Sequence, residues 1–142
     1  MNTEEIERAL SSCKPLFLGV YSCNNLPEER GLMVVNTDPS NRPGTHWIAI
    51  YIDAEGRRGE YFDSFGRPPT KTFKDYMNSH CKYWTFNDRQ IQSVASYFCG
   101  HYCIYYCSLR CRNINMRRIV NNFTNDTGFN DILVHGYVCN RM

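Results

Sequence analysis

The sequence predicts an α+β domain in which a small antiparallel or mixed sheet packs on one buried central helix. Two segments support this fold class. Residues 46–53 (HWIAIYID) alternate between two faces, which is typical of a strand. Residues 99–110 (CGHYCIYYCSLR) are apolar nearly all round, and a helix without a polar face belongs in the centre of a domain. The 142 residues contain no repeat or linker, so we expect one domain over residues 1–142.

The remaining helices and strands are shorter, and apolar segments, turns and N-cap residues indicate where they begin and end. Apolar or alternating segments lie at residues 16–21, 32–35, 59–63 and 83–86. Of these, 59–63 follows a turn after 46–53, which indicates an antiparallel hairpin. Helices are predicted over residues 3–11, 70–80, 116–123 and 131–138, with Thr3, Thr70, Asn115 and Asn130 as their N-caps.

Composition excludes several classes of protein. Hydrophobic residues make up 42% and charged residues 21%, as in ordinary globular proteins, so we exclude disorder. The net charge of +2 is no surplus of the size that nucleic-acid binding favours, although it leaves a local basic patch open. No apolar run reaches the roughly 18 residues of a membrane span, and the acidic start MNTEEIERAL is unlike a signal peptide. We therefore expect an intracellular protein that is not secreted and has no membrane partner.

Eight cysteines in a chain of this size allow four interpretations. A disulfide framework needs an oxidising compartment, and nothing in the sequence directs export. The other three interpretations are reduced core cysteines, a zinc site, or one catalytic thiol among buried cysteines. Four of the cysteines recur every four residues, and such a helical stripe cannot surround a zinc ion tetrahedrally. We expect no metal, and we interpret Cys103 and Cys107 as core residues.

Cys99 is the candidate nucleophile because it lies where a loop becomes the buried helix. The unpaired N–H groups of a first helical turn and the positive end of its dipole both stabilise a thiolate. Gly100 beside it lets a substrate backbone approach closely. On position alone, a buried and inert cysteine is the more common interpretation.

His46 and Asp63 form a candidate acid–base pair. His46 shares a strand face with three isoleucines, which by itself is typical of a core histidine. If the hairpin turn centres on residues 55–56, Asp63 faces Ile48, diagonal to His46, and its carboxylate reaches the imidazole. Such a carboxylate would fix the ring tautomer and stabilise the imidazolium, as the third member of a catalytic triad does.

Gln92 lies seven residues before Cys99 and is a candidate for an oxyanion hole. Its side-chain amide would act together with the backbone N–H of Cys99. Gln90 competes for the same role, and in the alternative interpretation either glutamine is simply exposed.

The order His46, Asp63, Gln92, Cys99 and the segments around these residues resemble the adenovirus-type cysteine proteases. These are related to the proteases that process ubiquitin-like proteins. The matching segments are GTHWIAIYID, EYFDSFG and QSVASYFCGHYCIYYC. The resemblance runs from about Leu16 to Arg110 and implies the papain-like fold of the adenain type, with histidine before cysteine in the chain.

The resemblance implies a role for each of the four residues. Cys99 would be the nucleophile, His46 the general base and then acid, and Asp63 the group that orients His46. Gln92 and the backbone N–H of Cys99 would form the oxyanion hole. The implied substrates are viral precursor proteins of the capsid or core, cut at glycine-containing sites during virion maturation in the host nucleus or virion.

The same resemblance implies activators, although the chemistry itself requires no cofactor. Cys81 lies eleven residues before Gln92, like the adenovirus-protease cysteine that forms a disulfide with an activating capsid peptide, so we interpret Cys81 as a regulatory thiol. DNA is a cofactor of the same enzymes and is an expected partner on that ground alone. The chain ends soon after residue 138 and lacks the longer C-terminal part of the adenovirus enzyme, which weakens both expectations. We expect a monomer.

Three alternatives stay open. An isopeptidase that removes ubiquitin or a ubiquitin-like modifier would use the same four residues. An inactive peptide-binding relative would keep the fold without the chemistry. A secreted module stapled by disulfides is the third.

Overall fold

The computed structural model describes residues 1–38 and 46–141 of the chain. In this part, five strands form one sheet in chain order: β1 (Phe17–Ser22), β2 (Leu32–Asn36), β3 (Trp47–Ile52), β4 (Arg58–Phe62) and β5 (Tyr83–Phe86). The α-helices are α1 (Thr3–Ala9), α2 (Lys71–His80), α3 (Cys99–Arg110), α4 (Met116–Val120) and α5 (Thr127–Arg141), and a 3₁₀ turn spans Ser11–Cys13. The α+β class is confirmed. None of the described helices is both long and apolar enough to cross a bilayer.

The sheet is mixed, with an antiparallel centre and parallel outer pairs. β3 pairs antiparallel with β2 and β4, whereas β1 runs parallel to β2 and β5 parallel to β4. In the β3–β4 ladder Ala49 faces Phe62 and Ile52 faces Gly59. Continuing this register by one residue places Asp63 opposite Ile48, so the antiparallel hairpin is as predicted and its register is the one that a turn centred on residues 55–56 gives.

Each face of the sheet carries its own apolar core. On one face α3 packs against β2, β3 and β4, and the rings of Phe62 and Tyr106 stack with centroids 4.7 Å apart. On the other face α2 covers the three isoleucines of β3 through Phe73 and Met77. The sheet is therefore buried on both sides at β3, the strand that leads out of His46.

The helix α3 occupies the central position that its composition predicted. All but three of its residues are buried, and Cys103 and Cys107 are at most 1% exposed. Burial raises the pKa of both thiols well above the ordinary value, because the charged form loses its hydration. Their interpretation as inert core residues is confirmed.

The cap of α1 is one residue earlier than predicted. Asn2, not Thr3, is the N-cap: its side-chain oxygen accepts the Glu5 N–H at 2.9 Å, and the Glu5 carboxylate accepts the Asn2 N–H at 3.1 Å. This reciprocal pair satisfies two otherwise unpaired donors, which Thr3 with its neighbours does not offer. The helix also ends at Ala9, two residues before the predicted end, and the 3₁₀ turn begins at Ser11.

The helix predicted over 131–138 is present, but it is longer than predicted, and Asn130 is not its cap. α5 begins at Thr127, and the Asp126 carboxylate, directly before it, accepts the Phe129 N–H at 3.1 Å. Asn130 is fully buried inside the helix and donates to the Ile91 carbonyl at 3.0 Å. A tertiary contact therefore draws into the core a residue whose type favours a cap.

The other two predicted caps lie where expected. Asn115 accepts the Arg118 N–H at 3.0 Å at the start of α4, and Thr70 directly precedes α2. α4 itself ends at Val120, three residues before the predicted end.

Gly59 of β4 packs tightly against Met77 of α2 and against Cys81, which directly follows α2. A Cβ at this position would lie 2.6 Å from the Cys81 Sγ and 2.9 Å from the Met77 Cε. We expect Gly59→Ala to lower the free energy of unfolding by about 1–3 kcal/mol, measured by urea denaturation, because overpacking forces neighbours apart.

The matched control is Gly136→Ala in α5, where a Cβ meets no atom within 4 Å. Alanine there should stabilise the protein by up to about 1 kcal/mol through helix propensity. The double variant Gly59→Ala/Cys81→Ala should be less destabilised than the sum of its single changes. A Gly59→Ala protein that unfolds at the wild-type urea concentration would refute the close packing.

Candidate active site

The hairpin of β3 and β4 brings His46 and Asp63 together. His46 directly precedes β3 and Asp63 directly follows β4, so both lie at the same end of the ladder. The His46 Nε2 and the Asp63 Oδ1 are 2.8 Å apart, and the two side chains are only 14% and 5% exposed. A carboxylate at this distance accepts the Nε2–H and leaves Nδ1 as the nitrogen that can exchange a proton.

The Asp63 carboxylate is held by its own turn and by a neighbouring strand end. Its Oδ1 also accepts the Phe65 N–H at 2.9 Å. The Asn87 side chain accepts the Asp63 N–H at 2.9 Å and donates to the Asp63 carbonyl at 2.6 Å. Gly66 completes the turn at a φ of +71°, where a Cβ would lie 2.5 Å from the Arg89 carbonyl carbon. Glycine is therefore required in the segment FDSFG.

The His46 ring is fixed on a second side by an aromatic contact. It stacks on Phe65, with ring centroids 5.0 Å apart and an angle of 25° between the planes. Its Nδ1 is buried and has no hydrogen-bond partner among the described residues. The ring is nevertheless close enough to Cys99 for each group to shift the pKa of the other.

Cys99 is the first residue of α3 and is 8% exposed. Its Sγ accepts a hydrogen bond from the backbone N–H of Trp47 at 3.5 Å, which joins the start of α3 to the start of β3. The Trp47 indole N–H donates to the Met1 carbonyl at 3.2 Å on the same side of the molecule. The packing of α3 on β3 thus sets the thiol beside the residue that follows His46.

The pKa values of His46 and Cys99 shift in opposite directions. Burial disfavours the charged imidazolium, but the hydrogen bond to Asp63 and the nearby Cys99 outweigh it and raise the pKa of His46 to about 9. Burial likewise disfavours the thiolate, but His46 and the Trp47 N–H outweigh it and lower the pKa of Cys99. Both shifts favour the imidazolium–thiolate pair over the neutral pair.

Gln92 is fully buried and joins the two halves of the site. Its Oε1 accepts the Ser64 hydroxyl, and its Nε2 donates to the carbonyl and the hydroxyl of Ser96 at 3.2 and 3.0 Å. Ser64 follows Asp63, and Ser96 lies in the loop that leads into Cys99. Gln90 is exposed and donates to the Gln92 carbonyl at 3.0 Å, so the structure separates the two candidates.

Cys81 lies apart from these four residues, on the α2 face of the sheet. It is 7% exposed, and its thiol donates to the Met77 carbonyl at 3.2 Å. Burial raises its pKa, with the Asp53 carboxylate acting in the same direction. These surroundings favour the neutral, unreactive thiol.

A cavity lies away from the site. It has a volume of about 750 Å³ and opens between β5 and α4, and none of the four predicted site residues lines it. The candidate catalytic groups are therefore defined by the contacts of His46 and Cys99, which lie outside this cavity. No three His, Cys, Asp or Glu side chains in residues 1–38 and 46–141 are placed to hold a metal ion.

Several residues that hold the site were not predicted from the sequence. These are Phe65, Asn87, Ser64, Ser96 and the backbone of Trp47. Phe65 lies in the segment FDSFG, so the motif itself was a signal for it. Asn87 and Ser96 act through contacts that depend on the packing of separate loops, and a single sequence carries no signal for such contacts.

Comparison with known proteins gives a consistent set of relatives, although no protein-family profile matches the chain. A cysteine protease of African swine fever virus is 27% identical over 113 residues, which cover 72% of this chain and 41% of that protein. Its counterpart from another isolate, named a SUMO-1 cysteine protease, is 28% identical over 104 residues, 66% of this chain and 38% of that protein. The protease of snake adenovirus serotype 1 is 28% identical over 113 residues, 65% of this chain and 56% of that protein.

A crystal structure of the African swine fever virus pS273R protease superposes with a TM-score of 0.65. The superposition covers 94% of this chain and 66% of that one at 16% identity. The resemblance to adenovirus-type cysteine proteases and the adenain-type fold are therefore confirmed. The chain spans only about two fifths to just over half the length of the relatives that it matches by sequence.

The ion pair predicts an unusual titration of His46. In the wild type the His46 ring should titrate at about 9 by NMR, and Asp63→Asn should lower this pKa towards the ordinary value of about 6.5, because the carboxylate charge is lost. Since the folded pKa lies above the unfolded one, the pair adds stability below about pH 6.5 that is lost as the pH rises to about 9.

The control is Asp75→Asn, which removes a carboxylate from the exposed pair with Lys71. That variant should leave the His46 titration unchanged. An ordinary His46 pKa in the wild type, or an unchanged one in Asp63→Asn, would contradict the assigned contact.

Proposed function

We propose that this chain is a cysteine peptidase with Cys99 as nucleophile and His46 as general base and acid. The observation that carries the proposal is the 2.8 Å contact of His46 with Asp63 beside a thiol whose pKa His46 lowers. The similarity to viral cysteine proteases supports the same assignment. Asp63 acts through His46, as a positioning residue.

The reaction follows from the protonation states of the pair. The Cys99 thiolate attacks the carbonyl carbon of the scissile bond, and the carbonyl oxygen becomes an oxyanion. The His46 imidazolium gives a proton from Nδ1 to the leaving amine as the C–N bond breaks, which leaves a thioester on Cys99 and a neutral imidazole. His46 then takes a proton from water, whose oxygen attacks the thioester and releases the acid and the thiolate.

We assign the oxyanion hole to the Gln92 amide and the backbone N–H of Cys99. The Ser64 hydroxyl holds the Gln92 oxygen, which orients Nε2 towards the loop that precedes Cys99. Both Nε2 contacts go to Ser96, so one of them must be exchanged for the oxyanion when substrate binds. This exchange makes the loop over residues 93–98 a determinant of activity.

We propose that the substrates are viral precursor proteins of the capsid or core, cut at glycine-containing sites during maturation. This proposal rests on the similarity to the adenovirus protease. On the same ground we propose that the enzyme acts in the host nucleus or in the virion and that it is a monomer. The second candidate is an isopeptidase for ubiquitin-like modifiers, which the name of the African swine fever virus relative favours.

From the same similarity to the adenovirus protease, we propose that a peptide and DNA activate this enzyme. A disulfide between Cys81 and an activating peptide would first require the thiol to leave the Met77 carbonyl and its packing against Gly59. An activator acting through Cys81 would therefore have to open the contact between α2 and β4.

Thiol reactivity tests the assignment of Cys99 directly. A thiol-directed electrophile at neutral pH should label Cys99 far faster than the other seven cysteines, because reactivity follows thiolate character. Labelled sites are read by peptide mass spectrometry, and cleavage of a Gly-Gly-containing peptide is followed in parallel. Cys99→Ala should abolish cleavage, whereas Cys139→Ser, at an exposed cysteine, should leave it unchanged.

The same assays separate the alternatives. Reaction of Cys99 with a ubiquitin-like electrophilic probe, without peptide cleavage, would favour the isopeptidase. Slow labelling of Cys99 at the rate of buried thiols would overturn the enzyme assignment and leave the inactive peptide-binding relative.

The oxyanion hole predicts a kinetic difference between Gln92 and Asp63. Gln92→Ala should lower kcat by about 10²–10³-fold, as expected for loss of one oxyanion donor. It should leave in place the basic limb of the pH profile, which His46 sets at about 9.

Asp63→Asn should lower kcat as well, but it should also move that limb to lower pH. Gln90→Ala, at the exposed glutamine, is the control and should change neither quantity. Wild-type kcat in Gln92→Ala would remove Gln92 from the oxyanion hole.

A further inference from the structure

Two cysteines outside the site lie in sulfur–sulfur contact. Cys13 ends the 3₁₀ turn after α1, Cys111 directly follows α3, and their Sγ atoms are 2.9 Å apart. Both are free thiols. We propose that Cys13 and Cys111 form a reversible disulfide when a disulfide oxidant such as oxidised glutathione is present, which makes them a redox-modified site of this protein.

The geometry requires little movement of the chain. A disulfide has an S–S length of about 2.05 Å, so the two sulfurs need to approach by less than about 1 Å. Neither residue lies inside a strand, and Cys111 follows the last residue of α3. Side-chain rotation and a small shift of these two element ends are sufficient to close the bond.

The two thiols differ in access, which sets the order of the reaction. Cys111 is half-buried, whereas Cys13 is 5% exposed. Burial and the hydrogen bond to Cys111 raise the pKa of Cys13 to about 12, so an external oxidant meets Cys111 first. Cys13 then acts as the resolving thiol.

The exchange balances in two steps. The Cys111 thiolate attacks one sulfur of oxidised glutathione, forms a mixed disulfide and releases glutathione thiolate. That thiolate takes the Cys13 proton, and the Cys13 sulfur attacks the Cys111 sulfur and releases a second glutathione. Two protein thiols are oxidised and one glutathione disulfide is reduced to two thiols.

Cys107 is the cysteine that competes with this pair, since Cys13 and Cys111 both act on its pKa in addition to burial. It lies one helical turn before Cys111, is fully buried, and burial raises its pKa well above the ordinary value. Cys99 lies twelve residues before Cys111, about 18 Å along α3 at 1.5 Å per residue. Cys99 therefore lies too far along the helix to take part in this disulfide.

The bond would join parts of the chain that are far apart in sequence. Cys13 and Cys111 are 98 positions apart, and the Arg141 guanidinium donates to the Ala9 carbonyl and the Ser12 hydroxyl at 3.2 Å beside them. A crosslink that closes a long loop restricts the unfolded chain. The oxidised protein should therefore be more stable than the reduced one.

The experiment compares the full chain in oxidised and reduced glutathione. After alkylation under denaturing conditions, two of the eight thiols should be lost to an intrachain disulfide on oxidation, a glutathione adduct on the reactive Cys99 being counted separately by mass, and non-reduced digests should contain the Cys13 and Cys111 peptides joined. Tm should rise by more than about 5 °C relative to the reduced protein, because the closed loop is long. Dithiothreitol should reverse both changes.

Cys13→Ser and Cys111→Ser should each abolish the thiol loss and the Tm rise, whereas Cys23→Ser and Cys139→Ser, at a half-buried and an exposed cysteine, should retain both. The peptide mapping is done on wild-type protein, so it does not depend on the variants folding. A bond from Cys107, a stable glutathione adduct on Cys111, a disulfide only between chains, or eight remaining thiols would each overturn the proposal. None of these readouts uses catalysis, so the proposal stands or fails separately from the peptidase assignment.

Discussion

The register of β3 against β4 is the constraint on which the site depends. Because side chains alternate along a strand, a slip of one residue would turn Asp63 to the face opposite His46 and remove the 2.8 Å contact. The turn fixes this register: the Asp53 carboxylate accepts the N–H groups of Arg57 and Arg58 at 2.8 and 3.2 Å, and Gly56 adopts a φ of +67°. The acid–base pair at the far end of the ladder is thus set by a turn at the near end.

Three cysteines of α3 are buried in the same helix, but the pKa values of their thiols shift in different directions. Burial opposes the thiolate at Cys99, Cys103 and Cys107 alike. Only at Cys99 do His46 and the Trp47 N–H offset that cost, since the first residue of α3 meets the start of β3 there. The proposed nucleophile therefore differs from its neighbours by its hydrogen-bond partners and a nearby charge rather than by its exposure.

The helix caps that were predicted wrongly are those where another interaction outweighs the preference of the residue type. Asn130 is a residue type that favours helix caps, but its amide reaches the Ile91 carbonyl and places it inside α5. Thr3 was a suitable cap by type, but Asn2 and Glu5 satisfy two donors together. Strand positions and α3 were predicted well because burial on the sheet faces enforces the same periodicity that the sequence displays.

The sequence by itself determined the alternation of β3, the hairpin that pairs it with β4, and the position of Cys99 at the start of an apolar helix. Only the tertiary structure decided that the thiol meets the Trp47 N–H, that Gln92 rather than Gln90 is buried, and that Cys13 meets Cys111. Periodicity and turn chemistry report on neighbours within an element or a hairpin. Contacts across 50 to 100 positions depend on how helices pack on the sheet, which no local pattern encodes.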